Sequence, residues 1–167
     1  MQELKVKNVI IGKQFGDSEN YQKFIEIVSE KKIKNYVVEA GQRINIEKNL
    51  YFDVLWPSSD NVVTENTLNN NSLVCKLVYR NFSMLFTGDI EEIAEKAILE
   101  MYENNLNTLK ATVLKVAHHG SKTSSVEEFI ETVKPKIALI GVGENNKFGH
   151  PNDAVLERLI TIRGEDL

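Results

Sequence analysis

The sequence predicts an α/β domain in which helices cover mixed sheets. Apolar runs of strand length alternate with stretches whose apolar residues recur at helical spacing. Two strand-like runs near the middle are parted only by Arg80-Asn81, which sets a hairpin inside the alternating pattern. The 167 residues suit one domain and leave no room for two full-sized ones, so residues 1–167 are read as a single unit.

The elements follow in order. Residues 6–11 read as a buried strand. Asp17 and Ser18 offer caps to a helix whose Tyr21, Phe24, Ile25 and Val28 form one apolar face. Residues 34–39 read as a strand, Gly41 as a turn and residues 43–46 as a short or edge strand. Residues 50–56 form another strand, stopped by Pro57. Residues 58–71 hold five asparagines and almost no apolar period, so they read as a loop of a length that is often functional. The hairpin spans residues 72–79 and 82–87 and ends at Gly88-Asp89. Ile90, Ile93, Ala94, Ala97, Ile98 and Met101 make the next helical stripe. Residues 112–117 are a strand that runs into His118-His119-Gly120-Ser121-Lys122-Thr123. Ser124 and Ser125, with Glu127 and Glu128 three residues on, resemble a capping box for a helix carrying Phe129, Ile130 and Val133. Residues 136–142 are a strand and 143–149 a loop. Pro151 suits the first turn of a last helix with Val155, Leu156 and Leu159. Residues 161–167 show no clear period.

Composition narrows the function classes. Hydrophobic residues make up 42% and charged residues 26%, as in an ordinary globular protein, which excludes a disordered or collagen-like chain. No apolar run approaches the ~20 residues that cross a bilayer, and no signal peptide is visible. A net charge of −4 argues against clamping nucleic acid by bulk positive charge, so any such contact is local. The single cysteine, Cys75, excludes an internal disulfide and a cysteine-built zinc site, and reads as strand filler.

The chemistry gathers late in the chain. All three histidines, His118, His119 and His150, follow predicted strands, and so does Asp89. Strand ends are where α/β folds collect ligand-binding groups. Imidazole and carboxylate together suit a divalent metal such as zinc or manganese, and a pair of ions can activate water and neutralise a phosphate. Each residue also has a plainer reading. Asp89 could cap the following helix. The two histidines could be a hydrogen-bonded surface pair, and His150 could merely start the last helix. Ser121, Lys122 and Thr123 offer phosphate contacts, or are ordinary residues ahead of a helix. Glu91, Glu92 and Glu95 read as a solvated helix face. Tyr79, Phe82 and Phe86 read as packing between strands, not as a base-stacking platform.

Five blocks carry a family resemblance. They are Asn70-Asn71-Ser72-Leu73-Val74, Phe82-Ser83-Met84-Leu85-Phe86-Thr87-Gly88-Asp89, Leu114-Lys115-Val116-Ala117-His118-His119-Gly120-Ser121, Lys134-Pro135-Lys136-Ile137-Ala138 and Phe148-Gly149-His150-Pro151. In order and spacing the chain resembles the metallo-β-lactamase-fold hydrolases, and among them the hydrolase domain of ComEC-type DNA-uptake competence proteins. The resemblance reaches to about Leu159. It implies a four-layer αβ/βα sandwich with a two-metal site at one edge. It implies Asp89 as the bridging carboxylate, His119 as a metal ligand and His118 as the group that steadies the transition state. The two histidine roles could be exchanged. Asn71 and His150 match positions near the substrate pocket, and Ser121 and Lys122 join them as phosphate contacts.

One departure from the family bears on activity. The superfamily's His-x-Asp-x-Asp-His or His-x-His-x-Asp-His motif is missing, and no histidine precedes position 118. Residues 2–6 match the point where such domains resume after that motif, and residues 160–167 depart from the family's last strand. The chain therefore resembles a partial hydrolase domain, incomplete at the His-rich N-terminal part and at the last strand. Two or three remaining ligands imply weak metal binding, or none, by the chain alone. A missing half implies an exposed sheet open to self-association. The resemblance implies DNA or another phosphodiester as substrate. It places the parent protein at the bacterial cell membrane, with a channel part and this domain at the outer face. The alternatives are another phosphodiesterase of the fold, such as a choline-phosphate esterase, or a non-catalytic module that binds a partner.

Overall fold

The computed structural model describes residues 5–13 and 18–164. The expected Asp17 cap lies outside them. Strand β1 (Asn8–Gly12), helix α1 (Glu19–Glu30) and strand β2 (Lys34–Val38) form a βαβ unit, with β1 and β2 parallel from Asn8 opposite Lys34 to Gly12 opposite Val38. Ser18 Oγ accepts the Tyr21 amide at 3.2 Å and so caps α1. The α1 face that turns inward is the expected one, with Val28 buried and Tyr21, Phe24 and Ile25 half-buried.

The second sheet has six strands in sequence order: β3 (Arg43–Glu47), β4 (Leu50–Trp56), β5 (Val74–Tyr79), β6 (Phe82–Phe86), β7 (Val113–Lys115) and β8 (Ile137–Leu139). Strands β3 to β6 pair antiparallel, with short turns joining β3 to β4 and β5 to β6 and the long 57–73 segment joining β4 to β5, whereas β6, β7 and β8 are parallel. The parallel pairs need crossovers, which helices α3 (Glu92–Met101) and α4 (Glu127–Val133) provide. Helix α5 (Asp153–Gly164) follows β8. Trp56, Val74, Leu85, Leu114 and Val116 of the sheet region pack with Ile90, Ala94, Ile98, Phe129, Val133 and Val155 in one core. Trp56 Nε1 donates to the Asn70 carbonyl at 2.7 Å, which satisfies the buried indole.

Several boundaries differ from the sequence reading. The stretch 58–71 contains a one-turn helix, α2 (Thr67–Asn70). Strand β7 stops at Lys115, because Ala117–Gly120 turn sharply, and β8 is only three residues long. The expected stripe on α3 is rotated: Ile93 and Met101 are exposed, while Glu95 and Leu99 join Ala94 and Ile98 inside. The reading of Glu95 as solvated is overturned, since it is fully buried. Its carboxylate accepts the amides of Ser125 and Val126 at 2.7 and 2.8 Å. Glu95 thus fills the role expected of a capping box. Ser124 Oγ instead donates to the Ala117 and Ser121 carbonyls, and Val126, with no side-chain oxygen, stands at the N-cap of α4. Pro151 precedes α5 rather than opening it, and Asn152 Oδ1 accepts the Ala154 amide. Part of the tail read as aperiodic is helical, because α5 runs to Gly164.

Candidate metal centre

Three adjacent parallel strands end level with one another. Phe86 of β6 lies opposite Lys115 of β7, which lies opposite Leu139 of β8. Asp89, His118-His119 and Gly141 all follow within four residues of these positions, so their loops meet at one sheet edge. Short contacts lock the loops together. Thr87 Oγ1 donates to the Lys115 carbonyl at 2.6 Å, and the His118 amide donates to the Gly88 carbonyl at 3.1 Å. Gly88 has φ +56°, and a Cβ there would stand 2.6 Å from Ser72 Cβ, so only glycine lets the turn approach. Ser72 Oγ in turn accepts the Asp89 amide at 3.2 Å.

The Asp89 cap reading does not hold: α3 begins at Glu92 with Glu91 at its N-cap, and Asp89 points its carboxylate toward His119. His119 Nε2 lies 3.6 Å from Asp89 Oδ1, while His119 Nδ1 lies 2.5 Å from the Gly141 carbonyl. A carbonyl oxygen can only accept, so Nδ1 carries the proton. In the neutral ring Nε2 then presents a bare lone pair to a carboxylate oxygen, with no proton between them. Metal–nitrogen and metal–oxygen bonds of about 2.0–2.2 Å put two tetrahedral ligands roughly 3.4 Å apart. The pair therefore fits two corners of one cation's coordination sphere. Among the described residues, no group of three or more His, Cys, Asp or Glu side chains converges to hold an ion. The donors present fit one edge of a mononuclear site and do not assemble a two-ion centre. Buried Cys75, whose thiol burial pushes up to about 11, is no ligand.

His118 faces the other way, toward Glu91. Its Nδ1 is buried without a hydrogen bond and lies 3.4 Å from Glu91 Oε1. Glu91 also accepts from Asn66 Nδ2 at 2.8 Å, from Thr123 Oγ1 at 2.8 Å and from Asn70 Nδ2 at 3.3 Å. Burial pushes the Glu91 carboxyl up, but these hydrogen bonds and His118 outweigh it and hold the group below its ordinary range. Glu91 thus ties the asparagine-rich loop to the histidine loop. Reading it as a solvated helix face missed it. The available signal was its place two residues past Asp89 and one before the helix.

The remaining expected residues divide. His150 meets the His118 ring edge-on with centroids 5.8 Å apart, so it joins the site. Lys122 is exposed and lines a groove of about 530 Å³ with Glu65, Glu91, Glu92, Lys96 and Thr123. Ser121 is buried, and its Oγ lies 3.1 Å from Thr123 Oγ1, turned into its own loop. Asn71 is not at the pocket surface: it is 2% exposed, its amide donates to the Val63 and Thr67 carbonyls, and its Oδ1 accepts the Val63 amide. An Asn amide matches buried backbone at both ends, and here it is used to close the loop.

The mixed α/β architecture is that of the metallo-β-lactamase fold, the class the sequence resembles. A protein of Parabacteroides distasonis, provisionally designated a metal-dependent hydrolase, has this same fold. It aligns with a TM-score of 0.51 over 92% of this chain and 73% of its own, at 15% identity. No family model matches the sequence. The chain is 37% identical over 155 residues to ComE operon protein 3 of Bacillus subtilis (strain 168), covering 93% of this chain and 19% of that protein. It is 33% identical over 108 residues to Competence protein ComA of Neisseria gonorrhoeae, covering 65% of this chain and 15% of that protein. The chain thus spans a fifth or less of the length of these relatives. By sequence and fold it is a ComEC-like domain of the metallo-β-lactamase fold.

Proposed function

We propose that the chain carries part of the catalytic face of a metal-dependent phosphodiesterase, nuclease-like and linked to DNA uptake, and that alone it is weakly active or inactive. One observation carries this: His119, bonded through Nδ1 to the Gly141 carbonyl, turns Nε2 toward the Asp89 carboxylate at 3.6 Å. Asp89 and His119 hold the cation, zinc or manganese. When bound, that ion supplies activated water and neutralises charge on the phosphate. His118, set beside Glu91, steadies charge on a phosphoryl oxygen in the transition state. His150 and Lys122 face the substrate. Ser121 and Asn71 shape the loops that present them. The competence names of the relatives support a DNA-uptake setting; in this reading DNA is the substrate and the parent is membrane-bound with this domain at its outer face. The exposed side chains of Ile10 and Tyr36, paired across β1 and β2, support an association through that face.

Titration of the chain with zinc and with manganese tests the reading. Weak uptake of about one ion, lost in Asp89→Ala and in His119→Ala, is expected, together with slow cleavage at most. Tight uptake of two ions contradicts it. A panel of single-stranded DNA, cyclic nucleotides and small phosphodiesters separates a nuclease from a choline-phosphate esterase. The scarcity of donors among the described residues favours one second reading, a module that binds a partner without catalysis. In that case Asp89→Ala and His119→Ala leave partner binding unchanged and no cation binds.

A further inference from the structure

The loop between β8 and α5 turns an aromatic ring outward beside the histidines. Phe148 is 80% exposed, the most exposed large hydrophobic side chain among the described residues. It stacks on His150 with centroids 5.9 Å apart and planes 19° from parallel. His150 in turn meets His118 edge-on at 5.8 Å. The backbone beneath this ladder is fixed. Asn146 Oδ1 accepts the amides of Phe148 and His150 at 3.3 and 3.0 Å, and Asn146 Nδ2 donates to the His150 carbonyl at 2.8 Å. Lys147, beside the ring in sequence, and Lys122, on the histidine loop, are both exposed.

A single surface hydrophobe needs no explanation. This one is held by its own loop, backed by a second ring and joined through that ring to a polar site. A flat apolar face with one side open suits a flat aromatic partner. With a net charge of −4, the chain has no bulk attraction for a nucleic acid strand, so contact must come from a local feature such as this. We propose that Phe148, backed by His150, is a stacking platform for one unpaired nucleobase, holding the strand so that a neighbouring phosphate lies toward His118. The choice of substrate class rests on the phosphodiesterase reading above.

The test uses the full chain and short single-stranded DNA carrying 2-aminopurine, against an abasic strand of the same length. The base-containing strand is expected to bind about tenfold more tightly and to lose fluorescence on binding. Phe148→Ala removes that preference and the quenching without changing abasic binding, and Phe148→Trp restores both. Because the ring is exposed, Phe148→Ala is expected to keep the wild-type unfolding temperature. Equal binding of the two strands, no binding of either, or an unchanged preference in Phe148→Ala overturns the platform. A mononucleotide that binds as tightly as the strand, or a dimer that Phe148→Ala abolishes while base binding stays, also overturns it. Cation uptake separates this from the underlying reading: if neither zinc nor manganese binds, or if Asp89→Ala and His119→Ala leave uptake unchanged, while the base preference tracks Phe148, the platform stands and the hydrolase reading fails.

Discussion

His118 and His119 sit consecutively at positive φ, 46° and 56°, ahead of Gly120 at 77°. A non-glycine residue there gives up about 1–2 kcal/mol. The surroundings determine the turn: the His118 amide is bonded to Gly88, Ser124 Oγ holds the Ala117 and Ser121 carbonyls, and Gly120 lies against Pro151. Such strain is typical of functional sites, and here it sends the two rings in different directions, one to Asp89 and one to Glu91. The direction of His118 depends on Glu91. Glu91→Gln keeps the size and part of the hydrogen bonding to Asn66, Asn70 and Thr123 but removes the charge beside the imidazole. In a longer protein that carries this domain and cleaves phosphodiesters, cleavage is expected to fall about tenfold, with the stability of this chain changed by less than about 1 kcal/mol in urea unfolding. Unchanged turnover would remove Glu91 from the site's account.

Helices α3 and α4 are joined by a carboxylate. Glu95 accepts two buried amides at the start of α4, while Arg158 of α5 donates to the Ser125 carbonyl at 2.7 Å from the other side. Burial pushes the Glu95 carboxyl up to about 7, against the lowering effect of those amides and Arg158. The folded form therefore keeps its proton where the unfolded chain has lost it. This stabilisation is complete below the ordinary carboxyl range and is lost as pH rises through about 7. Unfolding free energy is expected to fall between pH 5 and pH 8 by on the order of 3 kcal/mol more in the wild type than in Glu95→Gln. Parallel slopes for the two proteins would show that Glu95 does not titrate in this window. Periodicity found α3 but not its buried face, because apolar spacing gives no weight to a carboxylate that turns inward to serve another helix.

Across the whole molecule, the alternation of strands and helices was readable, and so were the hairpin and the loops that end in Asp89 and the histidines. The reason is physical: strand-length apolar runs must pair, and parallel neighbours deliver their C-terminal loops to one edge. The register that brings Asp89 to His119 was legible only as a possibility, since spacing along the chain does not fix which strands adjoin. Glu91 was invisible because its partners Asn66, Asn70, Thr123 and His118 are distant in sequence and meet only when the loops fold together. Phe148 falls within one of the five family-like blocks, yet its exposure belongs to the folded loop and leaves no mark on composition.

The most direct check is crystallographic. Crystals of this chain soaked in manganese and measured at an anomalous wavelength should show one peak roughly 2.0–2.3 Å from both Asp89 Oδ1 and His119 Nε2. A peak elsewhere, or side chains of 89 and 119 turned apart with no ion between them, would contradict the account.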